Sequence, residues 1–282
     1  MDLEYLRAHP QNIGRLIEHQ RIRTTPIRGG SICTAERLTL DDGTDVFAKS
    51  RPGAPADFFT SEADGLRWLD EPGAVPVPGV VAATPEMLLL DWIPPGSPTA
   101  AGAEELGRGL AALHRSGAEE FGFPRDGYIG TLPLDNTPAG SWAVFHVERR
   151  CRPYLRIAAG VLTPAEVALV ERALDRVEAP DEPPARIHGD LWSGNVHWAR
   201  DGRAWLVDPA AHGGHRESDL AMLALFGAPH LDRILAAYDE AFPLAEGWRD
   251  RIPMHQLHPL LTHVAMFGRA YAGQLLDAAR AT

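Results

Sequence analysis

Asp190, Asn195 and Asp208 fall within one stretch, IHGDLWSGNVHWARDGRAWLVD, running from Ile187 to Asp208. Val196–Trp198 has the character of a short strand, Asp201-Gly202 is a hairpin-type dipeptide, and Ala204–Val207 is a second strand. A hairpin of this kind brings Asn195 and Asp208 together at its open end, with Asp190 on the approach. Three oxygen-bearing side chains then converge. One orients a hydroxyl and accepts its proton, and two hold Mg2+.

A cation completes this chemistry. Of the 27 basic residues only Lys49 is lysine. A chain that uses arginine wherever charge suffices has kept one compact ammonium, the group suited to a tight phosphate site. Lys49 sits in the β-like run Asp45–Ser50, after a glycine-rich turn at Gly29, Gly30 and Ser31, whose bare backbone can approach phosphate oxygens. Phe58–Leu69 reads as a helix, and Glu62 on it is the expected partner of Lys49, with a solvent-facing glutamate as the alternative. Asp91, Trp92 and Ile93 end an apolar strand before Pro94-Pro95-Gly96, the place for a hinge with backbone groups free for adenine. That divides the chain into residues 1–93 and 94–282.

The second part is mostly helical. Ala103–Arg115 is amphipathic, Ser141–Ala159 is a helix kinked at Pro153, and Thr163-Pro164-Ala165-Glu166 is a capping box opening a helix to about Val177. Further helices are expected over Leu220–Phe226, Asp232–Phe242 and Gln256–Leu276, besides an early one over Gln11–Arg21. Phe121–Trp142 is long, aromatic and loop-rich, and its Tyr128, Asn136 and Trp142 suggest an adaptable binding surface. Asp219, before Leu220, either accepts hydrogen bonds from the catalytic-loop amides or is a simple helix-start carboxylate. His212 and His215 have no third ligand at metal spacing, which argues against zinc.

Composition narrows the function classes. With 282 residues, 45% hydrophobic and 23% charged, the chain can bury a substantial core. A formal net charge of −11 with no basic block argues against nonspecific nucleic-acid binding. Two cysteines, Cys33 and Cys151, make neither a disulfide framework nor a thiolate metal site. Without a signal-peptide pattern or a bilayer-length apolar run, the expectation is a cytoplasmic protein with no membrane partner.

The spacing of Asp190, Asn195 and Asp208 resembles that of protein kinases, and HGDLWSGN resembles the aminoglycoside phosphotransferase type within that superfamily. DPAAHGGHRESDLAMLALFG, GGSIC, VFAKS, GYIGTLPLDN, SWAVFHVERRCRPYLR and LHPLLTHVAMFGRAYAG are similar to the fructosamine (ketosamine-3-) kinase family. The resemblance covers most of the chain. It implies an α+β, protein-kinase-like two-lobed fold: a small β-rich N-lobe, a larger mainly helical C-lobe, and ATP between them. The implied reaction is ATP-dependent phosphorylation of a ketosamine 3-hydroxyl, on a small molecule or a glycated protein, leading to deglycation. The implied cofactors are ATP and Mg2+.

Carried over by residue, Asp190 is the base, Asn195 and Asp208 hold the metal, and Lys49 with Glu62 meets the phosphates. Trp192 shapes the sugar pocket, and His215 and Glu217 are substrate-side or supporting candidates. Cys33, in the expected phosphate loop, is either an activated, oxidisable thiol or an inert small hydrophobe. Two other readings stay open: another small-molecule kinase of the aminoglycoside type, and a nucleotide-binding pseudokinase module. The oligomeric expectation is a monomer or homodimer.

Overall fold

The computed structural model describes residues 3–14, 22–27 and 32–282. Gly29, Gly30 and Ser31 lie outside the described residues, as does most of the expected Gln11–Arg21 helix. The N-terminal region is an antiparallel sheet of five strands: β1 (Arg23–Pro26), β2 (Thr34–Thr39), β3 (Asp45–Ser50), β4 (Val80–Ala83) and β5 (Met87–Asp91). Their order is β1-β2-β3-β5-β4. α1 (Leu3–Ala8) covers one face and α2 (Phe58–Asp70) the other.

β5 reads MLLLD without polar alternation because both its faces are covered. Leu89 packs with Leu6 and Val46, whereas Leu88 and Leu90 pack with Phe59 and Leu66. β3 alternates in the same way. Val46 and Ala48 face α1, which leaves Phe47 and Lys49 on the α2 side, Lys49 opposite Leu88 in the ladder. A slip of one residue in register would turn Lys49 away from α2.

After β5 the linker runs beside the later hairpin: Gly96 N–H donates to Trp198 O at 2.7 Å and Arg200 N–H to Pro94 O at 2.9 Å. α3 (Ala100–Arg115) follows, capped by Thr99, whose side chain accepts from Gly102 N. It packs on a later helix, Leu231–Ala241, closely enough that a Cβ at Gly107 would lie 2.2 Å from Ile234 O. The Phe121–Trp142 segment contains a hairpin, β6 (Gly127–Ile129) and β7 (Leu132–Leu134). Next come α4 (Trp142–Val144), a π-helical stretch (Phe145–Cys151) and α5 (Arg152–Ala158). The widened turn lies just ahead of Pro153, whose ring and missing N–H do not fit a regular helical ladder.

α6 (Pro164–Leu174) opens with the expected capping box, both reciprocal bonds being present. β8 (Ala185–Ile187) leads to the hairpin β9 (Val196–Trp198) and β10 (Ala204–Leu206). β11 (His212–Gly214) pairs back onto β8, a strand that its HGG sequence conceals. α7 (Arg216–Phe226), α8 (Leu231–Ala241), α9 (Ile252–Phe267) and α10 (Ala272–Ala281) complete the chain. The single helix expected over Gln256–Leu276 is two. Gly268, at φ 72°, stops the first, and a 3-10 turn over Gly268–Tyr271 re-aims the chain. One apolar core runs without a break from α2 and β5 through α3, β10, α7 and α8. Among the described residues no helix is long and apolar enough to cross a membrane.

Candidate active site

β8 leads directly into His188, Gly189 and Asp190. Gly189 has φ 80°, and a Cβ there would lie 2.2 Å from Ala210 O, so neither the conformation nor the space admits another residue. Asp219, near the start of α7, accepts from His188 N–H at 2.7 Å and Gly189 N–H at 2.9 Å. His114 on α3 approaches the same carboxylate through Nε2 at 3.2 Å, and its Nδ1 meets the Tyr238 hydroxyl at 2.8 Å. Burial opposes ionisation of Asp219, but the bonds from His114 and the His188 amide outweigh it and hold the carboxyl below its ordinary value. The loop is thus fixed by a buried carboxylate bound from three directions.

Asn195 ends a 3-10 turn and spends its amide group on the loop. Nδ2 donates to Asp190 O at 2.9 Å, to Asp190 Oδ2 at 3.1 Å and to Asp208 O at 3.3 Å. Among the described residues its side-chain carbonyl oxygen accepts no hydrogen bond. Asp208 follows β10 in the left-handed region, φ 56°, a strained conformation for a residue with a side chain. Lys49 Nζ bridges Glu62 Oε2, at 2.8 Å, and Asp208 Oδ1. Burial pulls the Lys49 pKa down, but the two carboxylates more than offset this and keep the ammonium charged. Burial lifts the Glu62 carboxyl to about 7 against the pull of Lys49.

Asp190 lies half-buried among these groups. Burial, with the charge of Asp208 adding to it, raises its pKa well above the ordinary carboxylate value; the bond from Asn195 works the other way. A carboxylate with raised pKa is a stronger proton acceptor, as a general base requires. The Asn195 carbonyl oxygen and the Asp208 carboxylate form a hard, oxygen-only donor set, which fits Mg2+. Lys49 supplies a fixed positive charge beside them.

The remaining expected residues are placed differently. Asp91 pairs with Arg7 at 2.5 Å, the Arg37 guanidinium lies 5.4 Å from the Trp92 ring centroid, and Ile93 O accepts from His197 Nε2 at 3.0 Å. The Ile93 N–H has no partner among the described residues. Trp192 is 40% exposed on the loop after Asp190, its ring edge-on to Phe226 at 6.3 Å. Phe226, His263, Phe267 and Tyr271 extend that aromatic surface.

His215 and Glu217 are turned into the interior and bond to other groups. They are 1% and 2% exposed, and Glu217 is gripped by Arg251 at 2.5 and 2.9 Å and approached by His255 Nε2 at 3.2 Å. Burial opposes this, yet those partners hold the Glu217 carboxyl at about 2. His215, Glu217 and His255 bring ligand-type atoms within 4.8 Å of one another. The His215 Nδ1, however, accepts the Glu217 N–H at 3.2 Å, which leaves the proton on Nε2 and removes it as a metal ligand. Cys33 is partly buried against the core, and burial pushes its thiol up, Lys49 acting the other way. An activated thiolate is therefore not what this environment favours.

One group escaped the sequence reading, and one segment differs from it. His114 looked like one more residue of an amphipathic helix, and only its contact with Asp219 gives it meaning. The Phe121–Trp142 segment is not adaptable: Asn136 and Trp142 are 2% and 6% exposed. Arg150 donates to Asn136 Oδ1 at 2.5 Å, and Asn136 Nδ2 donates to Arg125 O at 3.0 Å.

Over nearly its whole length the chain is similar to known proteins. The fructosamine kinase family profile matches residues 8–280. A crystal structure of a "putative fructosamine-3-kinase" from Thermobifida fusca is 50% identical and covers 98% of each chain at TM-score 0.89. A "probable ketoamine kinase" of Thermus thermophilus is 38% identical, covering 91% of this chain and 93% of its own. The chloroplastic protein-ribulosamine 3-kinase of Arabidopsis thaliana is 30% identical over 89% of this chain and 79% of its own. The fold also extends to an aminoglycoside phosphotransferase structure, 13% identical at TM-score 0.64, covering 97% and 99% of the two chains. The chain has a protein-kinase-like two-lobed fold and belongs to the fructosamine kinase family, enzymes that transfer phosphate to a hydroxyl group.

Proposed function

We propose that the chain uses Mg-ATP to phosphorylate the 3-hydroxyl of a ketosamine, the amine-linked ketose produced by glycation. The observation that carries this reading is the convergence of Asp190, Asn195, Asp208 and Lys49 in one bonded cluster. Lys49, held by Glu62, meets the α- and β-phosphates. Asn195 and Asp208 would hold Mg2+, which when bound neutralises charge on the transferred phosphate. Asp190 receives the acceptor hydroxyl, orients it in line with the phosphate and takes its proton. The Ile93 N–H, without a partner among the described residues, is the group for the adenine edge, and the exposed Trp192 ring is the group for the sugar.

A phosphate at C3 sits next to the C2 carbonyl. The 1,2-enaminol tautomer of such an adduct expels phosphate, and hydrolysis of the resulting imine then frees the amine. Phosphorylation at this position therefore ends in deglycation without further work by the protein.

The test is phosphate transfer from Mg-ATP to ribulosamines, erythrulosamines, fructosamines and aminoglycosides, with Asp190→Ala as control. Transfer to a ketosamine that vanishes in the variant supports the proposal and ranks the sugars. Transfer to aminoglycosides alone replaces it with the antibiotic-kinase reading. ATP binding without transfer to any acceptor replaces it with the pseudokinase.

A further inference from the structure

The helix that carries Glu62 is held along its length by the C-terminal region. At its start, Asp57 Oδ1 accepts from the Tyr128 hydroxyl at 2.7 Å, and the Tyr128 ring lies 5.0 Å from Phe58. One turn on, Arg125 donates to Thr60 Oγ1 at 3.2 Å and pairs with Asp64. Trp68 meets Phe123 edge-on at 5.1 Å and lies under the Arg186 guanidinium at 4.4 Å. Arg186 also reaches the Trp68 carbonyl and, at 2.8 Å, Glu71. Between these grips, a Cβ at Gly65 would touch the Ala211 side chain at 3.3 Å, so α2 lies directly on the segment that follows Asp208.

The gripping segment is itself rigid. Phe123 N–H donates to Asn136 O at 3.1 Å, and Gly122 and Gly213 exchange two backbone bonds, 2.9 and 2.7 Å, tying the segment to β11. Arg150, 2% exposed, anchors Asn136 from below. In protein kinases the equivalent Lys–Glu pairing depends on an activation segment whose modification positions the helix. Here only Pro209–His215 separates Asp208 from α7, too short a segment for that control.

We infer that Arg125 and Tyr128 are positioning residues, which pin α2 so that the Lys49–Glu62 pair stays assembled before nucleotide arrives. The catalytic part of this inference rests on the proposed kinase reading; the structural part does not. Neither residue touches Lys49, Asp190, Asn195 or Asp208 in the hydrogen bonds and ion pairs of the site. Their effect reaches the phosphates only through α2.

The test combines Arg125→Ala with Tyr128→Phe. In nucleotide-free protein, hydrogen exchange of the α2 amides is expected to rise about tenfold, the effect of losing two partly exposed hydrogen-bonded links. Exchange in α9 and α10 should not change. KM for ATP should rise about tenfold, with KM for the acceptor within about twofold of the parent. The charge swap Asp64→Arg with Arg125→Asp should recover α2 protection and ATP affinity that Arg125→Asp alone loses. Unchanged α2 exchange, or a rise spread evenly over the whole chain, overturns the clamp. A parent protein without ATP turnover would strike the kinase reading, and the exchange comparison would still decide the clamp.

Discussion

Replacing Lys49 by Met removes the one buried cation between two carboxylates. Glu62, with its side chain 9% exposed, then stands without a counter-charge, whereas Asp208, at 54%, is screened by water and contributes little. Breaking a buried pair from one side costs about 3–5 kcal/mol. For a chain of this size that lowers Tm by roughly 6–15 °C. The loss depends on pH, and its direction follows from Glu62, whose carboxyl is already lifted to about 7 with Lys49 present. Without Lys49 it rises further. A carboxyl with raised folded-state pKa costs nothing below its unfolded value of about 4.3 and destabilises increasingly as pH climbs through the folded value. The deficit relative to the parent should therefore be small at pH 5 and grow from there to pH 9.

Adding Glu62→Leu removes the stranded charge. The double variant should return to within about 1 kcal/mol of the parent, while activity stays down by at least about 100-fold. The assay is urea unfolding at pH 5, 7 and 9 followed by tryptophan fluorescence, beside kcat/KM for ATP. A deficit that does not change with pH, or a double variant that turns over like the parent, would refute the account of Lys49.

Asp190→Asn separates stability from turnover. The raised pKa means that ionised Asp190 is held at a cost, absent below the unfolded pKa and present once pH passes the folded one. At neutral pH the variant should be at least as thermostable as the parent and slower by about 100- to 10,000-fold, as calorimetry and initial rates will read. In the parent, kcat should fall on the acid side as Asp190 takes up a proton. Gly189→Ala should lose about 2 kcal/mol or more, because φ 80° and the Ala210 carbonyl both oppose a Cβ; chemical denaturation measures it. Cys33, with its thiol pushed up, should alkylate with iodoacetamide at pH 7.4 more slowly than free cysteine, as mass spectrometry will follow.

What could be read in the sequence was local. Asp190, Asn195 and Asp208 lie on one hairpin and its approach, so chain geometry alone brings them together. Glu62 follows Lys49 by thirteen positions, across the one loop between β3 and α2, and they meet at 2.8 Å. Proximity in sequence also misled. His215 and Glu217 follow the catalytic segment closely, but β11 turns back onto β8 and carries them into the interior. The contacts between Arg125 and Asp64 or Arg150 and Asn136 join distant segments with no periodic or motif signal, and a loop rich in Gly and Pro reads as adaptable until the buried Arg150 beneath it is seen. The α2 helix boundary was clear from Phe58, Phe59, Leu66 and Leu69, whereas the break at Gly268 was hidden inside an apolar run.

The central claim is tested most directly by 31P NMR of the protein mixed with Mg-ATP and a lysine ribulosamine. The account predicts a new phosphomonoester resonance coupled to the C3 proton, then its decay to inorganic phosphate as free lysine appears, with none of this in Asp190→Asn. A phosphorylated product at another hydroxyl, or turnover of the ketosamine that persists in Asp190→Asn, would contradict it.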